Sequence, residues 1–293
     1  MAAEAAPPPA FAARLREARR FGWRLLSHRS FAVGLALFSV IVAIAALADL
    51  IAPFDPNKSS FRNILVPPGP EHRLGTDSFG RDILSRIVHG ARVSLRIGLL
   101  VVVATAILGV VIGVAAAYVR ALDNLVMRIM DGLMAFPGVL LAIALAAALG
   151  ASEMNAVIAL TVAFTPRTAR VVRASVLVVR ELPYVESAIA IGAGHGRIIL
   201  RYILANSLSP LIVQLTFVFA VSILAEAILS FLGVGPPPPA PSLGNIIAEG
   251  RNYIREAPWI AFFPGLVIAA SVLGLNLMGD GLRDVIDPRL RNL

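Results

Sequence analysis

Six long apolar segments constrain this chain more than any other feature of its sequence. They lie at residues 31–53, 95–118, 133–150, 155–179, 208–232 and 260–282. A helix needs about 20 apolar residues to cross the hydrocarbon core of a bilayer. The fourth segment has the shortest apolar part, because it carries Pro166 and three arginines. The pattern predicts an all-α integral membrane protein with six transmembrane helices in contact with membrane lipid.

The composition is also that of a membrane protein. The chain is 58% hydrophobic and only 15% charged, with a net charge of +8, whereas soluble domains have about 45–50% apolar and about 25% charged residues. A net positive charge can indicate nucleic-acid binding. Here the arginines lie next to the apolar segments, as expected for loops that set membrane orientation, so no nucleic-acid partner is predicted.

The first segment could instead be a cleaved signal peptide, since Ala46-Leu47-Ala48 resembles a cleavage site. The apolar part of a signal peptide is about 7–15 residues long, which is shorter than residues 31–53. We therefore interpret this segment as the first transmembrane helix.

Positive charge predicts the orientation of the chain. Residues 14–29, 119–132, 167–207 and 283–291 together carry about twice as many Lys and Arg residues as the remaining loops, and loops rich in these residues face the cytoplasm. Both termini are predicted to be cytoplasmic. The resulting layout is a cytoplasmic tail at 1–30, a transmembrane helix at 31–53, an extracytoplasmic loop and helix at 54–92, a five-helix core at 93–283 that includes a cytoplasmic loop at 181–207, and a cytoplasmic tail at 284–293.

Two extracytoplasmic segments are predicted to contain helices. The helix that ends the loop 54–92 can be capped by Thr76 or Asp77, whose side-chain oxygens accept from first-turn amides. A short interfacial helix is predicted at 244–253, with Trp259 near the lipid headgroups.

The loop at 181–207 is unusually polar for so apolar a chain. Ser187, Ala188 and Gly192 are small enough to let another surface approach the backbone, and Glu186 suits the N-terminus of a helix. Gly192, with Gly194 and Gly196 after it, permits a sharp bend, and Arg197 and Arg201 add charge. These residues fit either a docking surface for a soluble partner or an ordinary amphipathic helix.

Several kinds of chemistry are excluded by the sequence. The chain has no cysteine, and its single lysine, Lys58, lacks the glycines of the phosphate-binding G-x-x-x-x-G-K-[ST] loop. Neither H-E-x-x-H nor G-x-S-x-G occurs, and His72, His89 and His195 have no metal-site spacing. No catalytic residue, metal site or bound cofactor is predicted, and the chain is not expected to be an enzyme.

Polar residues at membrane depth are candidates for function because their burial is costly. Asp49, Arg96 and Asp280 lie near the ends of apolar segments. Glu226 and Asn276 lie deeper, and they are candidates for a transport pathway or for hydrogen bonds between helices.

The loop 181–207 resembles the EAA motif of ABC importer permeases, which reads E-A-A-x-x-x-G and continues to I-x-L-P. Glu186, Ala188 and Gly192 match the motif, whereas Ser187 replaces its middle alanine. Ala205 stands at the usual proline position, so the helix break expected there is softer or shifted.

Other segments resemble the second, C-type permease subunit of dipeptide, oligopeptide and nickel importers. They match that subunit's L-G-T-D-x-x-G-R-D, D-x-x-x-A-F-P, E-A-x-L-S-F-L-G and C-terminal motifs, and they lie at residues 72–82, 131–137, 226–233 and 257–289. With the EAA-like loop, the resemblance extends over about residues 70–291 in the family's order.

The resemblance implies the type I ABC importer permease fold and a role in ATP-driven, binding-protein-dependent import of short peptides across a bacterial inner membrane. It also implies a homologous second permease subunit, two ATPase subunits that use ATP and Mg, and an extracytoplasmic solute-binding protein. The loop containing Glu186, Ser187, Ala188, Gly192, Arg197 and Arg201 would couple this chain to the ATPases. Nickel, glutathione and opines are alternative substrates within the family.

An ion-coupled secondary transporter is the alternative of another class. Such proteins have internal repeats and ionisable residues or broken helices at mid-membrane. The sequence has no evident repeat, and Glu226 is its one plausible intramembrane acid.

Overall fold

The computed structural model describes residues 10–286 as a helical membrane protein. Its helices in chain order are α1 (Ala10–Ser27), α2 (Arg29–Ala46), α3 (Ala48–Ile51), α4 (Ile83–Tyr118), α5 (Arg120–Met134), α6 (Gly138–Leu149), α7 (Glu153–Arg180), α8 (Pro183–Ala190), α9 (His195–Arg197), a π-helix (Ile198–Ile203), α10 (Leu204–Phe231), α11 (Leu243–Gly250), a 3-10 helix (Arg251–Tyr253) and α12 (Trp259–Ile286). Within this part of the chain the extended structure is limited to one isolated bridge, between Thr76 and Asp82. The end of the predicted C-terminal tail, with Asp287-Pro288-Arg289, lies outside the described residues.

Four of the described helical segments are long and apolar enough to cross a membrane. They are α2, α4, α12 and the continuous stretch from α9 to α10. A fifth crossing is formed if α5 and α6 count as one span, which is bent by 89° at residues 135–137. Helix α7 is 28 residues long but is not among these apolar helices, so the six-helix count stays a prediction.

The core is formed where α4, α6, α7 and α10 meet. Ile97 and Val101 of α4 pack with Leu160 of α7 and Leu229 of α10. Glycines bring α4 and α7 into close contact, because a Cβ on Gly113 would lie 2.6 Å from the carbonyl oxygen of α7 residue Ala169. Small residues at such crossings are the usual basis of helix association in membranes.

Helix α2 packs along α12 through a second glycine contact. A Cβ on Gly34 would lie 2.6 Å from the carbonyl oxygen of Gly274 and 2.7 Å from the amide nitrogen of Met278. These obstacles are backbone atoms, which cannot rotate away. The contact therefore requires glycine at position 34.

The segment between α3 and α4 ends in a tight turn that displaces the predicted cap. Helix α4 begins at Ile83, and its cap is Asp82, whose carboxylate accepts from the Ser85 amide at 2.8 Å. Asp77 instead accepts from the amides of Phe79 and Arg81 and so closes the turn before the helix. Thr76 donates its hydroxyl to the Asn63 carbonyl. The prediction of Thr76 or Asp77 as cap was wrong, because both side chains are used within this turn.

The short helix predicted at 244–253 is confirmed as α11 and the 3-10 helix that follows it. Ser242 caps α11 by accepting from the Asn245 amide. Trp259, at the start of α12, donates its indole N–H to the Thr76 carbonyl at 3.1 Å. Its ring also covers Gly75. Trp259 thus joins α12 to the segment before α4, a contact that the sequence did not predict.

We predict that Gly34→Ala lowers the Tm of the purified assembly by several degrees, because forcing a methyl group into a packed contact costs about 1–3 kcal/mol. Gly132→Ala is the matched control. Gly132 lies in α5 with open space around it, and alanine is favoured over glycine in a helix by about 0.5–1 kcal/mol. Thermal unfolding followed by size-exclusion chromatography measures both. Equal Tm values would contradict the proposed glycine contact.

Candidate functional site

The loop 181–207 folds as a short helix, a tight turn and a return into α10. Helix α8 begins with Pro183 and carries Glu186 in its first turn, which favours a negative charge. It ends in a Schellman motif, in which the Gly192 amide donates to the Ile189 carbonyl and the Ala193 amide donates to the Ala188 carbonyl. Gly192 has a φ of +81°, so the predicted bend lies at this residue.

The loop is fixed to three long helices by an apolar cluster. Val185 of α8 and Ile198 and Ile203 of the π-helix are buried among residues from the ends of α4, α7 and α10, which are Ala117, Val172, Val176, Val179 and Leu211. Two polar contacts add to the cluster. The Tyr118 hydroxyl lies 2.9 Å from Nδ1 of His195, and Arg180 donates to the Ala117 carbonyl. Through Val185, α8 belongs to a cluster that reaches the ends of all three helices.

The residues predicted for docking do not all face outward. Glu186, Ser187, Arg197 and Arg201 are exposed, and Gly192 has open space beside it. Ala188 is only 4% exposed and faces the chain itself. Its small size thus allows α8 to pack closely on its own protein, which differs from the expected role in admitting a partner.

The outer surface of the loop also carries large apolar side chains that the sequence reading did not single out. Ile191 is 84% exposed, Leu200 is 70% exposed and Ile189 is 55% exposed. They stand beside Glu186 and Arg197. Exposed apolar groups rimmed by charge are typical of a protein–protein interface. The helical period was a usable signal, since Val185 and Ala188 share one face of α8 and Glu186 and Ile189 share another.

The helix break expected near Ala205 is shifted towards the N-terminus. Helix α10 begins at Leu204 and continues past Ala205, while the π-helix occupies the six residues before it. A π-helix widens the turn and interrupts the regular hydrogen-bond ladder. The irregular backbone therefore precedes Ala205, as expected when the proline is missing.

Glu226 is fully buried and joins α4 to α10. The hydroxyls of Ser94 on α4 and Ser230 on α10 each donate to its carboxyl group at 2.6 Å. This geometry is that of a polar contact between membrane helices.

Asn276 lies on the wall of a cavity of about 620 Å³ between α10 and α12. The other residues of this wall are apolar and include Leu224, Ile228 and Ile268. Of the remaining polar candidates, Asp49 pairs with Arg92 and Arg96 pairs with Glu153 at exposed positions, and Asp280 is exposed. The described residues contain no group of three or more acidic, His or Cys side chains that could hold a metal ion.

A buried ionic network at the other end of α4 escaped the sequence reading. Arg86 is 1% exposed and donates to Glu249 of α11 at 3.1 Å, while Arg81 donates to both Asp77 and Glu249 at 2.6 Å. Burial raises the pKa of the Glu249 carboxyl, and the two guanidinium groups oppose that rise. The segment before α4 was recognisable as a motif, but Glu249 lies too far along the chain for spacing to indicate the pairing.

We predict that Glu226→Leu lowers the free energy of unfolding by about 1–3 kcal/mol, because the Ser94 and Ser230 hydroxyls lose their buried acceptor. Glu226→Gln keeps an acceptor oxygen and a similar volume, so it is expected to cost less than half as much. Denaturant or thermal unfolding of the purified assembly provides the measurement. If both variants keep wild-type stability and lose transport alike, Glu226 acts in the pathway instead.

Two family descriptions match this chain. The family described as binding-protein-dependent transport system inner membrane component matches residues 109–292. The family described as the N-terminal TM domain of oligopeptide transport permease C matches residues 16–68. The two matches together span most of the chain.

Individual relatives are similar over nearly the full length. A putative peptide transport system permease protein of Brucella abortus biovar 1 (strain 9-941) is 57% identical over 92% of this chain and 90% of the relative. The dipeptide transport system permease protein DppC of Alkalihalophilus pseudofirmus is 43% identical over 92% and 89%. The glutathione transport system permease protein GsiD of Pectobacterium atrosepticum is 41% identical over 92% and 91%.

One solved structure has a similar fold. It is described as inward facing conformations of the MetNI methionine ABC transporter. Its matching chain superposes with a TM-score of 0.56 at 21% identity, over 69% of this chain and 96% of that chain. The similarity identifies the type I permease fold expected from the sequence.

Proposed function

This chain belongs to the family of binding-protein-dependent transport system inner membrane components, and from that premise we propose that it is the C-type permease subunit of an ATP-driven importer of short peptides. The observation that carries the proposal is the exposed helix α8, with the bend at Gly192 after it, which an apolar cluster joins to the ends of α4, α7 and α10 in a sequence without the G-x-x-x-x-G-K-[ST] motif. Such a chain needs a separate source of energy, and α8 offers a surface through which to receive it.

The coupling loop in this proposal consists of Glu186, Ser187, Gly192, Arg197 and Arg201, supported from beneath by Ala188. Two ATPase subunits, which use ATP and Mg, bind this surface through the exposed apolar and charged groups. When ATP binding draws the ATPases together, α8 moves as a rigid body and shifts the helices it contacts. The pathway between this chain and a homologous second permease subunit then alternates between its two openings.

Charge supports a cytoplasmic location for α8 and for both termini, in a bacterial inner membrane. Arg167, Arg170, Arg173, Arg180, Arg197 and Arg201 all lie between the middle of α7 and the start of α10, and positive loops face the cytoplasm. The segment before α4 and helix α11 then face outward, where a solute-binding protein delivers the substrate.

The relatives support short peptides as the substrate. The relatives at 57% and 43% identity are described as peptide and dipeptide permeases, while a glutathione permease is 41% identical. Glutathione is itself a small peptide, so it is the nearest alternative. Nickel and opines have no comparable support among these relatives.

The source of energy distinguishes this proposal from an ion-coupled secondary transporter. We predict that uptake into vesicles carrying the complete assembly requires ATP on the α8 side. We also predict that uptake persists when an ionophore abolishes the proton and sodium gradients. Uptake that survives without ATP and stops with the ionophore would contradict the proposal.

The coupling role of α8 is tested by reversing its charge. We predict that Glu186→Lys or Gly192→Asp lowers ATP-dependent uptake at least about tenfold, equivalent to about 1.4 kcal/mol of coupling free energy. Membrane insertion is expected to stay near wild type for both variants, because both positions are exposed. Glu186→Lys should also keep the wild-type Tm, whereas Gly192→Asp strains the backbone at a φ of +81° and should lower it. Glu186→Lys is therefore the decisive variant.

Glu181→Lys is the matched control, since Glu181 is also exposed and lies at the C-cap of α7, where positive charge is favourable. It should leave uptake within about twofold, because the interactions of an exposed charge contribute little free energy. Wild-type uptake by both α8 variants would refute the docking role.

A further inference from the structure

Three arginines on α7 share one side of the helix, but only two have acidic partners. Arg170 pairs with Asp131 of α5. Arg173 donates two hydrogen bonds of 2.6 Å to Asp123, which also lies on α5. Arg167 lies one turn further towards the middle of α7. Among residues 19–286, no carboxylate oxygen lies within 4 Å of its guanidinium group.

Arg167 lies where two cavities adjoin. The inner cavity has a volume of about 220 Å³ and extends to the break between α5 and α6, where Phe136 and Gly138 line it. The outer cavity has a volume of about 500 Å³ and reaches Arg283 near the end of α12. Arg167, Gln214 and Phe217 line both cavities. The two spaces therefore form one groove along α7 and α10, which we call the Arg167 groove.

The groove runs from the break between α5 and α6 to the ends of α10 and α12 that lie on the side of α8. Arg167 lies at the middle of α7, 13 residues or about 20 Å before the helix ends, and its side chain is exposed to the groove. A charged side chain in the middle of a membrane helix faces a partner or a water-filled cavity, and such residues mark substrate pathways. The non-helical backbone at residues 135–137 likewise borders a cavity, as such backbone does in membrane proteins.

We propose that the Arg167 groove is this chain's part of the inward pathway, and that Arg167 and Gln214 bind the C-terminal carboxylate of the peptide in transit. The proposal rests on the function proposed above and deepens it by naming the recognised group. A guanidinium group matches a carboxylate through two parallel N–H···O bonds, and the Gln214 amide can donate a further bond. Arg283 adds positive charge nearer to the opening.

The chemistry of short peptides explains why a carboxylate is the group to recognise. Their side chains vary in size and charge, whereas every unmodified peptide has a C-terminal carboxylate that is ionised at neutral pH. A pathway that passes many sequences gains from contacts to such a constant group. The rest of the groove wall is largely apolar and includes Phe136, Phe164 and Phe217. Such a wall can contact peptide side chains of many kinds.

The test compares trialanine with trialanine C-terminal amide in vesicles that contain the complete assembly. We expect Arg167→Gln to lower uptake of trialanine about tenfold, since a lost hydrogen bond to a charged group is worth about 1.5–3 kcal/mol. Uptake of the amide should fall less than about twofold by the same reasoning. Any preference of the solute-binding protein for one peptide cancels in the ratio of variant to wild-type uptake, because both assemblies receive the peptide from the same binding protein.

Arg170→Gln is the matched control on the same helix. Arg170 is held by Asp131 and lies outside the Arg167 groove, so its loss should change the uptake of both peptides by the same factor. Arg167→Lys keeps the charge without the paired geometry and should fall between the wild type and Arg167→Gln.

A labelling experiment provides a second readout that does not require transport of the amide. The chain has no cysteine, so Phe217→Cys introduces a single thiol into the groove. During turnover, trialanine should slow its modification by an impermeant maleimide added on the α8 side. That protection should disappear when Arg167→Gln is added, whereas Leu224→Cys, in the other cavity between α10 and α12, should show no protection.

Three results would overturn the inference. The first is an equal loss of uptake for trialanine and its amide in Arg167→Gln. The second is protection of the thiol at position 217 that is unchanged by Arg167→Gln. The third is an effect of Arg167→Gln that varies with the anionic lipid content of the vesicles, which would assign the site to a lipid headgroup. In each case ATP-dependent peptide uptake by the wild type would leave the proposed function standing.

Discussion

Close backbone contact between helices is the constraint on which this structure depends. Burying apolar side chains against each other gains little in a bilayer, because lipid tails are equally apolar. Helix α4 meets α7 at Gly113, and α2 meets α12 at Gly34, and at both places backbone occupies the space of a Cβ. Helix α4 is 36 residues long, so its contact with α7 determines where both of its ends lie in the protein.

The two ends of α4 are built from different interactions, and each suits a different task. At its first turn, Arg86 is enclosed by Glu249 and Asp77. Removing one partner of a buried ion pair strongly destabilises the folded protein, because the other charge is left buried and unpaired. At its last turn, apolar packing and the Tyr118–His195 contact hold the loop that carries α8. The first arrangement fixes α4 to α11, while the second joins α4 to the loop that we propose receives the movement of the ATPases.

The sequence predicted the features that depend on local chemistry. Long apolar segments became helices α2, α4, α10 and α12, and the bend at Gly192 follows from a positive φ that glycine adopts easily. Features that depend on tertiary contacts were not predictable. The helical period places Val185 and Ala188 on one face of α8 and Ile189 on another, but it does not indicate which of these apolar faces is buried. The sequence indicated Thr76 or Asp77 as the cap of α4, whereas the turn at Gly80 engages Asp77 and leaves Asp82 to cap the helix.

The same distinction explains why Arg167 stood out only in the structure. In the sequence it is one of the four arginines of α7, and it indicated only that the apolar part of the fourth segment is short. The structure separates them, because Arg170 and Arg173 pair with α5, whereas Arg180 bonds to the end of α4. Three of the charges thus hold α7 in place, and the fourth faces a groove. An arginine in the middle of a membrane helix that lines a groove and has no carboxylate partner among residues 19–286 fits the proposed contact with a passing carboxylate.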